Sequence, residues 1–236
     1  MVVRLYLLPY AGADISCFSQ LVRELEKQHD ENLKIIPIEL RGHGTRRNEP
    51  PYQTMEEAIN DVSDKIKFND GLVILYGHCT GGIIAHAIYQ YRKSIGKDDI
   101  GLVVLGSSII NKMNMGRFTE YLKDHVRNIF PNLSENIISQ LIEYQKPLIE
   151  SEYAFTRKYL MQSQIYLDKN QVFIFGKDDD FVDYKSLYTD YKELKGANVS
   201  FVPGGHFFIN DFPNEVVKIL NKEIPKLQFR INNKLN

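Results

Sequence analysis

Leu72-Val73-Ile74-Leu75-Tyr76 runs directly into Gly77-His78-Cys79-Thr80-Gly81-Gly82, and this stretch decides the fold. Five consecutive apolar side chains predict a buried strand, and helical apolar spacing resumes from Gly81 to Ser94. Between the two, Gly77 and Gly81 stand symmetrically about a single cysteine. A strand that turns sharply into a helix needs small residues on either side of its apex, because the turn strains the backbone and presses strand against helix. Strand, glycine-flanked turn and helix together make Cys79 a candidate nucleophile. The competing reading is an ordinary buried cysteine beside a turn.

Outward from this stretch, short runs rich in Val, Ile, Leu and Phe recur at Val3 to Pro9, Leu33 to Leu40, Gly71 to Tyr76, Gly101 to Gly106, Gln171 to Phe175 and Val199 to Pro203. Helical periodicity fills Phe18 to His29, Thr54 to Phe68, Gly81 to Ser94, Tyr184 to Leu194 and Pro213 to Leu220. Strands alternating with helices predict a single α/β domain, with a mostly parallel sheet covered on both faces. Residues 111–167 break the alternation. They pattern as helix throughout, punctuated by Pro131 and Pro147, and predict an inserted helical lid over the carboxyl ends of the strands, where open sheets bind ligands. From Lys222 onward the tail is rich in Lys and Asn and is expected to fray.

At 236 residues the chain can enclose a core without disulfides, and two cysteines on separate elements do not make a secreted scaffold. A cytoplasmic setting is expected. With 29 basic and 30 acidic residues the net charge is -1, so no basic face invites nucleic acid. No stretch reaches the roughly 20 apolar residues of a membrane span. The protein is expected to be a monomer, without metal or cofactor.

A nucleophile at such a turn needs a base and an orienting acid, each on a strand end, in the chain order nucleophile, acid, histidine. Both partners are present. Val172 to Phe175 leads into Gly176-Lys177-Asp178-Asp179-Asp180, and Val199 to Val202 leads into Pro203-Gly204-Gly205-His206. His206 is the expected base and Asp179 the expected acid, with Asp178 its rival. The other histidines are weaker candidates, since a base must come within about 3 Å of the nucleophile. His86 lies two turns along the same helix, roughly 10 Å away, and reads as packed. His78 should point away from the site, in a packing or loop-support role. His43 either lines the pocket or merely shapes a turn, and His29 and His125 read as solvent-facing. An oxyanion hole is expected from the backbone amides of Thr80, after the nucleophile, and of Ala11, in the loop Leu8-Pro9-Tyr10-Ala11-Gly12-Ala13.

Taken together, these motifs resemble the type II thioesterases that accompany nonribosomal peptide and polyketide synthases, members of the α/β-hydrolase superfamily. Leu8-Pro9-Tyr10-Ala11-Gly12 resembles the family's Leu-Pro-Tyr-Ala-Gly-Gly. Glu39-Leu40-Arg41-Gly42-His43-Gly44 resembles its Glu-Leu-Pro-Gly-Arg-Gly, and Gly205-His206-Phe207-Phe208 matches its Gly-His-Phe-Phe. The chain departs from the family at Cys79 and Thr80, where Gly-His-Ser-Met-Gly is usual, and at Ala13. Lys146 to Tyr153 only loosely follows the family's Pro-x-Leu-Arg-Ala-Asp run. The resemblance implies an α/β-hydrolase fold and removal of stalled acyl or aminoacyl groups from the phosphopantetheine arm of an acyl or peptidyl carrier protein. It also implies that the helical insertion shapes the acyl channel.

A thiol alters the chemistry that serine would perform. Near an imidazolium it can stand as a thiolate, and exchange with a pantetheine thioester is nearly thermoneutral. The cysteine acyl-enzyme stays reactive toward amines. Hydrolysis is therefore the first expectation and acyl transfer or cyclisation the second. A noncatalytic ligand-binding protein of the same fold is the third.

Overall fold

The computed structural model describes residues 2–29, 32–108, 122–124, 126–127, 130–164, 166–182 and 198–235, with side chains described through Phe229 apart from those of the omitted residues. β1 (Val3–Leu8) passes through a short 3-10 turn into α1 (Ser19–Gln28), which is followed by β2 (Leu33–Pro37). Next come α2 (Met55–Ser63), β3 (Leu72–His78), α3 (Thr80–Ser94) and β4 (Ile100–Gly106). The long helix α4 (Glu135–Gln162) precedes β5 (Gln171–Gly176) and β6 (Asn198–Val202), and the chain closes with α5 (Phe208–Asp211) and α6 (Pro213–Leu235).

The strands order as β2-β1-β3-β4-β5-β6, and every adjacent pair is parallel. The connection from β1 to β2 moves one way across the sheet and that from β3 to β4 the other. Right-handed crossovers therefore put α1 and α3 on opposite faces. α2 packs beside α3, and α6 packs beside α1. Strands covered on both faces must be largely apolar, and all six residues of β1, Arg4 included, and all seven of β3 are buried. The reversal of strand order falls between β1 and β3. Open sheets place their ligand crevice outside the carboxyl ends of the strands at such a point.

Boundaries shift where packing outruns local pattern. β3 runs past Tyr76 to His78, because Gly77 and His78 continue the ladder to Leu105 and Gly106 of β4. α2 begins where Thr54 predicts, its hydroxyl accepting the Glu57 amide at 3.2 Å, but stops at Ser63 instead of Phe68. The tail does not fray at Lys222. α6 continues to Leu235, through Pro225, because Leu220, Ile224 and Leu227 keep one apolar face buried. Pro147 likewise lies inside α4 and does not end it, the neighbouring Ile149 being buried against the domain. Residues 111–121 of the expected lid, and the expected helix Tyr184 to Leu194, lie outside the described residues. Among the described residues, 122–164 contain no strand. No helix among the described residues is long and apolar enough to cross a membrane.

Candidate active site

The turn after β3 has the strain that its sequence predicts. Cys79 sits at φ 51° and ψ -117°, a left-handed backbone that side chains seldom adopt. Its amide donates to the Gly106 carbonyl at 2.7 Å, tying the apex to β4. The flanking glycines are required by contact. A Cβ at Gly77 would lie 2.2 Å from the Gly81 carbonyl oxygen, and one at Gly81 would lie 2.3 Å from the Leu8 oxygen. The loop after β1 is therefore stacked directly on the elbow, and the helix that begins there carries ten consecutive buried residues, Thr80 to Tyr89.

Three of the predicted residues converge here. The Cys79 sulfur lies near enough to the His206 ring to shift its titration, and His206 Nδ1 meets Asp179 Oδ2 at 3.1 Å. All three side chains are buried. Asp179 is held by further donors: the Ser107 hydroxyl gives to Oδ2 at 2.7 Å, and the amides of Phe181 and Val182 give to Oδ1 at 3.1 and 2.9 Å. Asp178 is exposed, although its amide joins the histidine loop through the Gly204 carbonyl. Burial alone would drive both charges out. Against that burial, the Cys79 sulfur and the Asp179 carboxylate raise the His206 pKa from 6.5 to about 10. Burial also opposes ionisation of Asp179, but His206 and Ser107 outweigh it and keep the carboxyl below its usual range. At neutral pH the site holds an imidazolium between a carboxylate and a sulfur.

The expected oxyanion donors lie on the two segments that meet at the elbow. Among the described residues, neither the Ala11 amide nor the Thr80 amide has a hydrogen-bond acceptor. Both belong to segments packed on the elbow, Ala11 following the Leu8-Pro9 step that Gly81 touches. The next amide along, that of Gly12, is taken by Glu152 Oε2 at 2.8 Å.

The remaining histidines separate by environment. His78 faces away from the nucleophile. Its Nε2 donates to the His206 carbonyl at 2.7 Å, while the Tyr76 hydroxyl lies 3.3 Å from its Nδ1. His86 is packed inside α3 with Nδ1 at 3.0 Å from the Gln171 side-chain oxygen, and burial lowers its pKa to about 4. His29 is half-buried and meets Asn221 at 2.6 Å, so α1 is pinned to α6 where a solvent-facing ring was expected. His125 lies outside the described residues.

His43 is buried beneath α4. Its Nδ1 donates to the Arg41 carbonyl at 2.9 Å, and Nε2 stands 3.4 Å from Glu152 Oε2, an ion-pair contact rather than a well-formed hydrogen bond. Burial disfavours the imidazolium, but the Glu152 carboxylate more than offsets it and the pKa of His43 rises. His43 also forms part of a crevice of about 630 Å³ between α4 and the loops after β1 and β2, with Gly12, Arg47, Tyr144 and Leu148 among its walls.

Three functional candidates escaped the sequence. Ser107, at φ 42°, follows β4 and supports Asp179, and its position at a strand end was the available signal. Glu152 and Tyr153 come from α4, within the run that only loosely follows the family pattern. Tyr153 places its hydroxyl 3.6 Å from the Cys79 sulfur. Nothing in local spacing could bring residue 153 to residue 79. Among the described residues, no three His, Cys, Asp or Glu side chains cluster as a metal would require.

Solved structures share this architecture. ClbQ from the colibactin NRPS/PKS pathway superposes with a TM-score of 0.76 at 21% identity, covering 97% of this chain and 99% of its own. The RedJ thioesterase from the prodiginine biosynthetic pathway of Streptomyces coelicolor gives 0.74 at 20% identity, covering 94% and 86%. The peroxisomal α/β-hydrolase Lpx1 of Saccharomyces cerevisiae gives 0.70 at 14% identity, covering 98% and 78%. The fold is thus that of the α/β-hydrolases. No curated protein matches the chain in sequence. The model of the thioesterase domain family matches residues 3–224, from the first strand past the histidine loop. With nearly the whole chain inside that match and the elbow, acid and histidine in hydrolase order, the protein belongs to the thioesterase domain family.

Proposed function

We propose that this protein hydrolyses acyl or aminoacyl thioesters held on the phosphopantetheine arm of carrier proteins, clearing stalled groups from a nonribosomal peptide or polyketide synthase. The observation that carries the reading is the convergence of Cys79, His206 and Asp179 at the carboxyl ends of three parallel strands, with His206 hydrogen-bonded to Asp179. The names of ClbQ and RedJ support the pathway class.

The chemistry follows from the protonation pattern. The Cys79 thiolate attacks the thioester carbonyl, and the amides of Ala11 and Thr80 receive the developing oxyanion. Collapse forms the Cys79 acyl thioester and breaks the bond to pantetheine, whose thiolate takes the proton of His206. The neutral imidazole then deprotonates water, which attacks the acyl-enzyme. Collapse returns the Cys79 thiolate and the His206 imidazolium and releases the acid. Asp179 keeps the ring in orientation throughout and stays ionised. No cofactor enters the cycle, and a monomer suffices for it.

One observation favours a second reading, acyl transfer or cyclisation. Cys79 is only 3% exposed, with the Tyr153 hydroxyl against its sulfur, so water is scarce where an amine nucleophile on a carrier could be guided in. Incubating the protein with acylated carrier and recording intact masses tests both. Free acid supports hydrolysis, and a new amide or ester supports transfer. Carrier that keeps its acyl group, with no mass added at Cys79, overturns the proposal.

A further inference from the structure

Glu152 is a poor choice on structural grounds. It is 1% exposed, and among the described residues its Oε1 has no hydrogen-bond partner. A buried carboxylate with one unpaired oxygen costs stability that an apolar side chain of similar size would not. Its other oxygen accepts the Gly12 amide across 140 positions of sequence and faces His43 Nε2 at 3.4 Å. One turn of α4 thus touches the loop twice, because a Cβ at Gly12 would meet Ile149 at 2.7 Å. The next residue, Tyr153, is the one that reaches the nucleophile.

Consecutive peptide planes in a tight loop cannot rotate independently. The plane between Ala11 and Gly12 is fixed by the bond to Glu152, and Gly12 has the left-handed φ of +76° that this turn requires. The Gly12 amide is therefore unavailable to an oxyanion, while the Ala11 amide has no acceptor among the described residues. We infer that Glu152 is a positioning residue: by holding the Gly12 amide it aims the Ala11 amide at the acyl oxygen and keeps the loop in register with Cys79. The inference rests on the acyl-enzyme reading above.

The test separates steps that need an oxyanion hole from one that does not. Acylation by p-nitrophenyl butyrate forms the Cys79 thioester and expels p-nitrophenolate through a tetrahedral oxyanion. Alkylation by iodoacetamide displaces iodide at the same sulfur with no oxyanion. In Glu152→Ala the acylation rate should fall at least about tenfold, since outright loss of one donor costs about 10²- to 10³-fold. Alkylation should stay within about twofold of the parent. Glu152→Gln, which can still accept the Gly12 amide, should recover acylation to within about threefold. If Glu152→Ala does not fold, Glu152→Leu takes its place and the same two rates decide. Acylation within twofold of the parent overturns the inference, as does an equal fall in both rates. A parent inert toward the activated ester overturns it too. A parent that takes the ester but removes no acyl group from carriers sinks the proposed function and leaves Glu152 standing.

Discussion

Replacing Cys79 with alanine should move the titration of a different residue, His206. Four favourable influences lift that ring: charge attraction and a hydrogen bond from Cys79, and the same two from Asp179. Attraction to Cys79 is the largest of them; the hydrogen bond from Asp179 comes next, ahead of that from Cys79, and attraction to Asp179 is the smallest, so the two influences of Cys79 together exceed the two of Asp179. Together they overcome burial and carry the pKa from 6.5 to about 10, which corresponds to about 5 kcal/mol in favour of the imidazolium. The cysteine supplies more than half of a total that also had to cancel burial. Its loss should therefore lower the His206 pKa by about two units or more, to about 8 or below. The assay is a pH titration of ring-labelled histidines by long-range nitrogen–proton NMR, with His206→Gln identifying the resonance. Asp179→Asn should lower the same pKa by less than Cys79→Ala does. A change under about half a unit in Cys79→Ala would show that the sulfur does not charge the ring, and the ion-pair mechanism would fail with it.

Other expectations are more quickly checked. His206→Ala should reduce acyl release at least about a hundredfold, and Asp179→Asn should do the same while Asp178→Asn stays within about twofold. Equal effects of the two aspartate variants in steady-state assays would remove Asp179 from its role. His86 supplies a stability test: its folded pKa of about 4 lies below the unfolded 6.5, so the unfolded chain binds the extra proton between those values. Its contribution is present above pH 6.5 and is lost as pH falls toward 4, by about 3 kcal/mol. Urea unfolding of His86→Gln should show a correspondingly flatter fall over that range than the parent, and parallel curves would refute the assignment. Gly81→Ala forces a Cβ to 2.3 Å from a backbone oxygen and should cost about 3 kcal/mol, read as a melting temperature lower by about 6–12 °C. An unchanged melting temperature would mean the elbow is looser than its contacts imply.

Much of this architecture could be read from residue order alone, for a physical reason. Strands buried on both faces must be largely apolar, so the central strands β1, β3, β4 and β5 announced themselves, and Gly77 and Gly81 marked a turn that tolerates no side chain. Cys79, Asp179 and His206 were legible because each follows a strand, and parallel strands bring their ends together. What stayed hidden depends on distant contacts. The unbroken α6 owes its length to Ile224 and Leu227 finding a buried face, and the continuation of α4 through Pro147 owes as much to Ile149. Glu152 and Tyr153 reach the site from α4, whose placement over the elbow local spacing does not encode, whereas Ser107 carried the signal of a strand end. His43 was left between two roles because its partner lies 109 positions away in sequence.

The bond from His78 to the backbone of His206 has a dynamic consequence. His78 is the residue before the nucleophile, and its ring grips the carbonyl of the base's own residue at 2.7 Å. Sulfur and imidazole thus ride on one short linkage, and a displacement of the elbow carries the base with it. Their separation should fluctuate less than the separation of either from Asp179, which is anchored through Ser107, just after β4, and the amides of Phe181 and Val182. Loosening the loop at Pro203 to Gly205 would then show first as a histidine that loses its acid, with the reacting pair still in contact.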